Sequence, residues 1–151
     1  MNIPWEELSS ATRQALRIRT DPIETTIQSP KALMVWVGDR QALIPASQVV
    51  GVGRIRPVEW MRLQVIHERR SYSLKDAKES LHVPGRPGSY FVALRNGSAQ
   101  AVDGLGGFVD YEPQTLKPYV MRAFPGAILG KVRATGVRGG EAELLSFSAG
   151  S

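Results

Sequence analysis

The glycines and prolines of this chain decide what it can fold into. Fifteen Gly and ten Pro among 151 residues interrupt it so often that, past Pro30, the apolar runs stay short. They are Ala32–Val37, Ala42–Pro45, Tyr90–Leu94, Ala99–Leu105, Ala127–Ala134 and Ala142–Phe147. Each has the length of a strand and is bounded by turn chemistry rather than by helix caps. Gly38-Asp39 joins the first two runs, Arg95-Asn96-Gly97-Ser98 the next two, and Gly136–Gly140 the last two; Asn-Gly is the strongest of these hairpin signals. Many short strands at near-regular spacing predict a barrel or sandwich. Pro45 ends its strand or places it at a sheet edge.

Helical periodicity is confined to two places. Trp5, Leu8, Thr12, Ala15 and Leu16 fall on one face of residues 5–18, Pro4 suits a first turn, and Asp21-Pro22 ends the segment. Leu74, Ala77 and Leu81 are spaced as in a short helix over Ser73–Leu81. Between them, Arg54–Trp60 reads as irregular because of Pro57, and Met61–Ile66 alternates weakly, as a half-buried strand does. Val102–Pro118 reads as a strand, a tight turn or bulge at Asp103-Gly104 whose carboxylate satisfies local amides, a second strand, and an extended exit at Leu116-Lys117-Pro118. Trp36 and Trp60 read as core residues. The expected organisation is an N-terminal helix and connector over 1–30, one β domain over 31–147, and a disordered tail over 148–151.

Composition removes several function classes. The chain has no cysteine, so no disulfide, thiolate nucleophile or thiolate metal site exists, and a reducing cytoplasm is the simplest location. No apolar run approaches the ~20 residues of a transmembrane helix, and the N-terminus lacks the basic and apolar regions of a secretory signal. His67 and His82 are the only histidines, and neither sits in a metal-ligand spacing. Gly51-x-Gly53 lacks the third glycine of a dinucleotide fingerprint. Gly126–Lys131 resembles a phosphate loop, but Val132 follows the lysine. With no Gly-x-Ser-x-Gly elbow either, an enzyme is not expected. A net charge of +5 permits nucleic-acid binding, and a basic small-barrel nucleic-acid-binding protein is the alternative reading. The basic residues are nevertheless scattered along the chain, with pairs as their densest clusters.

The order of these pieces resembles the CheW family of chemotaxis adaptors over Lys31–Phe147. The matching features are Leu33–Val37 with Gly38-Asp39, the run Leu43–Val52, Tyr90–Leu94, Val102-Asp103-Gly104-Leu105, Leu116-Lys117-Pro118, Ile128–Val132 and Glu143–Phe147. The family's Gly-Val-hydrophobic-Asn-Leu-Arg-Gly motif corresponds to Gln64–Arg70, where Val65 and Arg69 survive, with Asp76 beyond it. Arg70 stands at the motif's last glycine, which implies a changed turn. The resemblance implies a mainly β fold of two small five-stranded barrel-like subdomains, intertwined around a shared core, with short helices. It implies a non-catalytic, cytoplasmic adaptor without cofactor or metal that couples the tip of a methyl-accepting receptor to the regulatory domain of a CheA-type histidine kinase. It places Val49 and Arg69, with Val50 and Arg70 beside them, at the partner-binding surface.

Overall fold

The computed structural model describes residues 30–118 and 127–147. The expected N-terminal helix and C-terminal tail lie outside this range. Ten strands follow one another: β1 Lys31–Val37, β2 Arg40–Pro45, β3 Val49–Arg54, β4 Gln64–His67, β5 Arg70–Asp76, β6 Tyr90–Leu94, β7 Ser98–Val102, β8 Gly104–Pro118, β9 Ile128–Ala134 and β10 Glu141–Leu145. Helix α1 (Pro57–Arg62) lies between β3 and β4, and α2 (Ala77–Ser80) follows β5. The strands form two five-stranded sheets. One closes into a barrel in the order β1-β2-β10-β9-β8, and the other runs β3-β6-β7-β5-β4. The two ends of the described chain therefore build the barrel, and the stretch between them, 49–102, builds the second unit. The expected pair of barrel-like subdomains is the architecture observed.

Burial on both faces explains why the strand runs are uninterrupted rather than alternating. Along β1, Leu33, Val35 and Val37 face a core shared with the second unit, while Ala32 and Met34 line the barrel interior. The shared core adds Val92 and Leu94 from β6, Val102 from β7, and Ala77 and Leu81 at α2. A third cluster, with Val65, Tyr72, Leu74 and Phe91, fills the second unit. Trp36 and Trp60 pack half-buried against the first and second interiors, respectively. Burying one such Val or Leu contributes about 1.5–3 kcal/mol.

Three expectations are corrected. Pro57–Arg62 is a helix rather than an irregular stretch or strand. The Arg56 amide donates to Glu59 Oε1 at 2.8 Å, and Pro57 occupies the first turn, where its missing N–H costs nothing. Ser73–Asp76 belongs to β5, paired with β7, and the helix begins only at Ala77, where the Asp76 carboxylate accepts the Lys78 amide. Burial raises the pKa of that carboxyl above its usual value, against the opposing pull of the Lys78 amide and ammonium. Leu74, Ala77 and Leu81 are buried, but in two different cores, so their helical spacing is a coincidence of strand and helix meeting.

The third correction concerns Asp103. It is the residue at which the chain leaves β7 in one sheet and enters β8 in the other. Its carboxylate satisfies distant groups, not local ones. Oδ2 accepts the amide of Gly38, in the β1–β2 turn, at 2.6 Å, and Oδ1 accepts Lys78 Nζ, on α2, at 2.8 Å. The Asp103 amide donates to the Trp36 carbonyl at 2.8 Å. Lys78 also donates to the Arg86 carbonyl at 2.6 Å. Its side chain is only 8% exposed, against 31% for Asp103. A second polar chain crosses between the units: Gln100 Nε2 donates to Ser98 Oγ, Ser98 Oγ to Asn96 Oδ1, and Asn96 Nδ2 to the Phe147 carbonyl.

Removing one partner of a buried ion pair strands the other charge at a cost of about 3–5 kcal/mol. Because Asp103 is partly solvated, Asp103→Ala is expected to lower the urea unfolding free energy by about 3 kcal/mol, the lower end of that range. The double variant Asp103→Ala/Lys78→Met is expected to lose less than Asp103→Ala alone. Equal losses would show that the charge is not stranded.

Candidate functional site

Val49 and Val50 begin β3, and Arg69 and Arg70 lie where β4 turns into β5. In the strand order these are opposite edges of the second sheet. The sheet curls until the edges meet. The His67 ring on β4 rests directly on Gly51 of β3, occupying the space a Cβ would fill. The same ring meets Phe91 edge-on, with centroids 6.0 Å apart. Gly53, one strand repeat further, leaves room for the Phe91 ring. Two glycines on β3 thus make room for two aromatic rings; that of His67 closes the seam, and closure brings all four expected partner-binding residues to one end of it.

Each of the four has a distinct environment. Val49 is half-buried against the shared core, and Val50 is half-buried against the interior of the second unit. As successive strand residues the two face opposite sides, and a register shift between Val49 and Gly51 leaves Val50 without a partner on β6. Arg69 and Arg70 are exposed, and neither guanidinium has a partner among the described residues. The tight turn has its left-handed residues at Glu68 (φ 50°) and Arg69 (φ 68°), while Arg70 opens β5 opposite His67. The changed turn expected at Arg70 is therefore located one residue earlier. A two-residue hairpin of this geometry favours Asn-Gly, and holding side-chain-bearing residues there costs on the order of 1 kcal/mol each.

The surface also includes residues that the sequence reading missed. Val52 pairs with Val92, and Ile66 with Ser71. Tracing the register through Ser73–Ser98 and Gln100–Val92 puts both on the sheet face that the barrel covers at its centre. Val52 is 42% exposed and Ile66 56%, so they are the uncovered apolar margins of that face, flanking the seam. Their signal in the sequence was alternation, Val50-Gly51-Val52-Gly53 and Val65-Ile66-His67, which cannot separate a margin from a core. His67 Nε2 lies 3.8 Å from a Glu68 carboxylate oxygen. Among the described residues, no three His, Cys, Asp or Glu side chains cluster to hold a metal, and no helix is long and apolar enough to cross a membrane.

No family model matches this sequence, and no curated protein does. A solved structure does: the scaffolding protein TtCheW from Thermoanaerobacter tengcongensis, with a TM-score of 0.64 at 10% identity, covering 80% of this chain and 91% of that one. At that identity the likeness is one of fold, and the fold of this chain is CheW-like.

Two consequences follow for the seam. Gly51→Ala drives a methyl into the His67 ring, and overpacking of this kind costs about 1–3 kcal/mol. Thermal melting is expected to show that loss, with Gly51→Ala/His67→Ala recovering part of it. Replacing Glu68-Arg69 by Asn-Gly is expected to raise stability by about 1–2 kcal/mol through relief of the left-handed strain. Urea titration checks this, and an unchanged or lowered midpoint would contradict it.

Proposed function

We propose that this chain is a non-catalytic adaptor of a chemosensory or motility pathway. In this reading it couples the tip of a methyl-accepting receptor to the regulatory domain of a CheA-type histidine kinase, in the cytoplasm and without a cofactor. The observation that carries the reading is the closed seam. It sets half-buried Val49 and Val50, the apolar margins Val52 and Ile66, and Arg69 and Arg70, unpaired among the described residues, around one strained hairpin. Apolar side chains beside unpaired arginines are the composition of a protein-binding surface, and strain of this kind gathers at functional sites. Likeness of fold to a scaffolding protein supports the same reading.

An adaptor of this type acts by position. Holding two partners on one rigid body raises their effective concentration without any chemistry. Rigidity is supplied by the shared core and by the Asp103–Lys78 pair.

The test is calorimetric titration of this protein with the regulatory domain of the CheA-type kinase from the same source. Micromolar binding is expected, weakened about tenfold, or about 1.4 kcal/mol, by Val49→Asp and by Arg69→Ala, with circular dichroism unchanged. Absence of binding at about 100 μM, the level of roughly 5–6 kcal/mol, would refute kinase coupling.

A further inference from the structure

Helix α1 carries its polarity the wrong way round for a surface helix. Its acidic residue, Glu59, is only 5% exposed and accepts the Arg56 amide. Val58 and Met61, three residues apart and so neighbours on one side, are exposed instead. Met61 reaches 84% exposure, and Leu63 just past the helix is exposed as well. Five of the seven large apolar side chains exposed among the described residues fall within 52–66: Val52, Val58, Met61, Leu63 and Ile66. The other two lie on β8 and β9 of the barrel. Single exposed apolar side chains need no explanation, but a cluster this local marks a contact surface.

The exposed charge around α1 is basic. Arg54, Arg56 and Arg62 are exposed, and the buried Glu59 is the only acid in 54–63. Arg62 has no partner among the described residues. Arg54 lies over the Tyr90 ring, 5.1 Å from its centroid, and Arg56 reaches Glu59 at 3.4 Å. On one side the patch borders a cleft where Trp60 and Leu63 meet Lys75, Asp76 and Glu79, but the unit as a whole is strongly positive. Residues 49–102 contain nine Lys and Arg against four Asp and Glu, a balance of +5 that equals that of the whole chain.

Such a surface calls for an anionic partner, and its apolar side chains select which. Single-stranded nucleic acid is held on exposed aromatic rings where bases stack. Every exposed large apolar side chain in 52–66 is aliphatic, while Trp60 and Tyr90 are half-buried. Aliphatic tips among arginines, whose stems lie along apolar material while their heads stay in water, suit the boundary between acyl chains and anionic headgroups. Charge spread over a whole unit also acts on a charged plane without matched pairs.

We propose that this protein docks on anionic lipid bilayers through α1, with Val58, Met61 and Leu63 entering the acyl boundary and Arg54, Arg56 and Arg62 at the headgroups. The contact is peripheral. The strained Glu68–Arg69 hairpin lies at the other end of β4 from α1. The proposal is independent of the adaptor reading, because nothing in it requires a kinase or receptor.

The test is co-sedimentation of the full-length protein with phosphatidylcholine vesicles, with and without phosphatidylglycerol. The protein is expected to pellet with the anionic vesicles and not with the neutral ones, and added salt is expected to release it. Met61→Gln changes no charge, and Met61 is too exposed for this change to unfold the protein; it is expected to weaken binding about tenfold. Arg62→Gln is expected to weaken it about fivefold. Arg133→Gln, the same charge change at an exposed arginine of the barrel, is expected to weaken it by less than about twofold. Equal binding to both vesicle types, or to neither, would overturn the proposal. So would binding unaffected by Met61→Gln, or equal losses in Arg62→Gln and Arg133→Gln. Salt-dependent binding to single-stranded DNA without binding to anionic vesicles would overturn it in favour of nucleic acid.

Discussion

The arrangement of this protein depends on one buried ion pair at the point where the chain changes sheets. Asp103 stands between β7 and β8 and holds Lys78 of the second unit and the Gly38 amide of the barrel with the same carboxylate. A charge as buried as that of Lys78 is costly unless it is paired and hydrogen-bonded. Here the ammonium has both Asp103 and the Arg86 carbonyl. The hydrophobic cluster between the units supplies most of the cohesion, but it is non-directional. The ion pair and the Gln100–Ser98–Asn96–Phe147 chain are directional, and they fix how the two sheets meet.

That fixed relation also sets where the seam of the second sheet lies. The second sheet is not closed by a hydrogen-bonded ladder, since β3 and β4 remain its two edges. It is closed by a ring lying on a glycine. Free edges invite pairing with other chains, and here the edges are drawn together instead. Their meeting point exposes apolar margins and two arginines, unpaired among the described residues, beside the core shared with the barrel. If the adaptor proposal holds, a surface mounted this way has little to reorganise on binding, which is where preorganised interfaces gain affinity.

Much of the fold was legible because it rests on local chemistry. The Gly38-Asp39 and Asn96-Gly97 turns, the unbroken apolar runs of β1 and β6, and the terminating Pro45 all act within a few residues, and all were read correctly. What was misread depends on distant partners or on very short elements. Six residues of α1 are too few to show a helical period, and Pro57 looked like a break when it was a start. Leu74, Ala77 and Leu81 share a spacing but not a core. Asp103 looked like an ordinary turn aspartate, and its partners lie 25 and 65 residues away. The four residues proposed for binding were named from a resemblance. That they converge was not readable in the sequence, because Gly51 and His67 meet only once the sheet has curled.

The most direct test of the account is a map of amide chemical-shift changes on this protein as the regulatory domain of a CheA-type kinase is added. The account requires the changes to gather on both sides of the seam, at Val49–Val52 and at Ile66–Arg70, with the barrel residues far from it unmoved. Changes confined to the barrel, or none at saturating kinase, would contradict it.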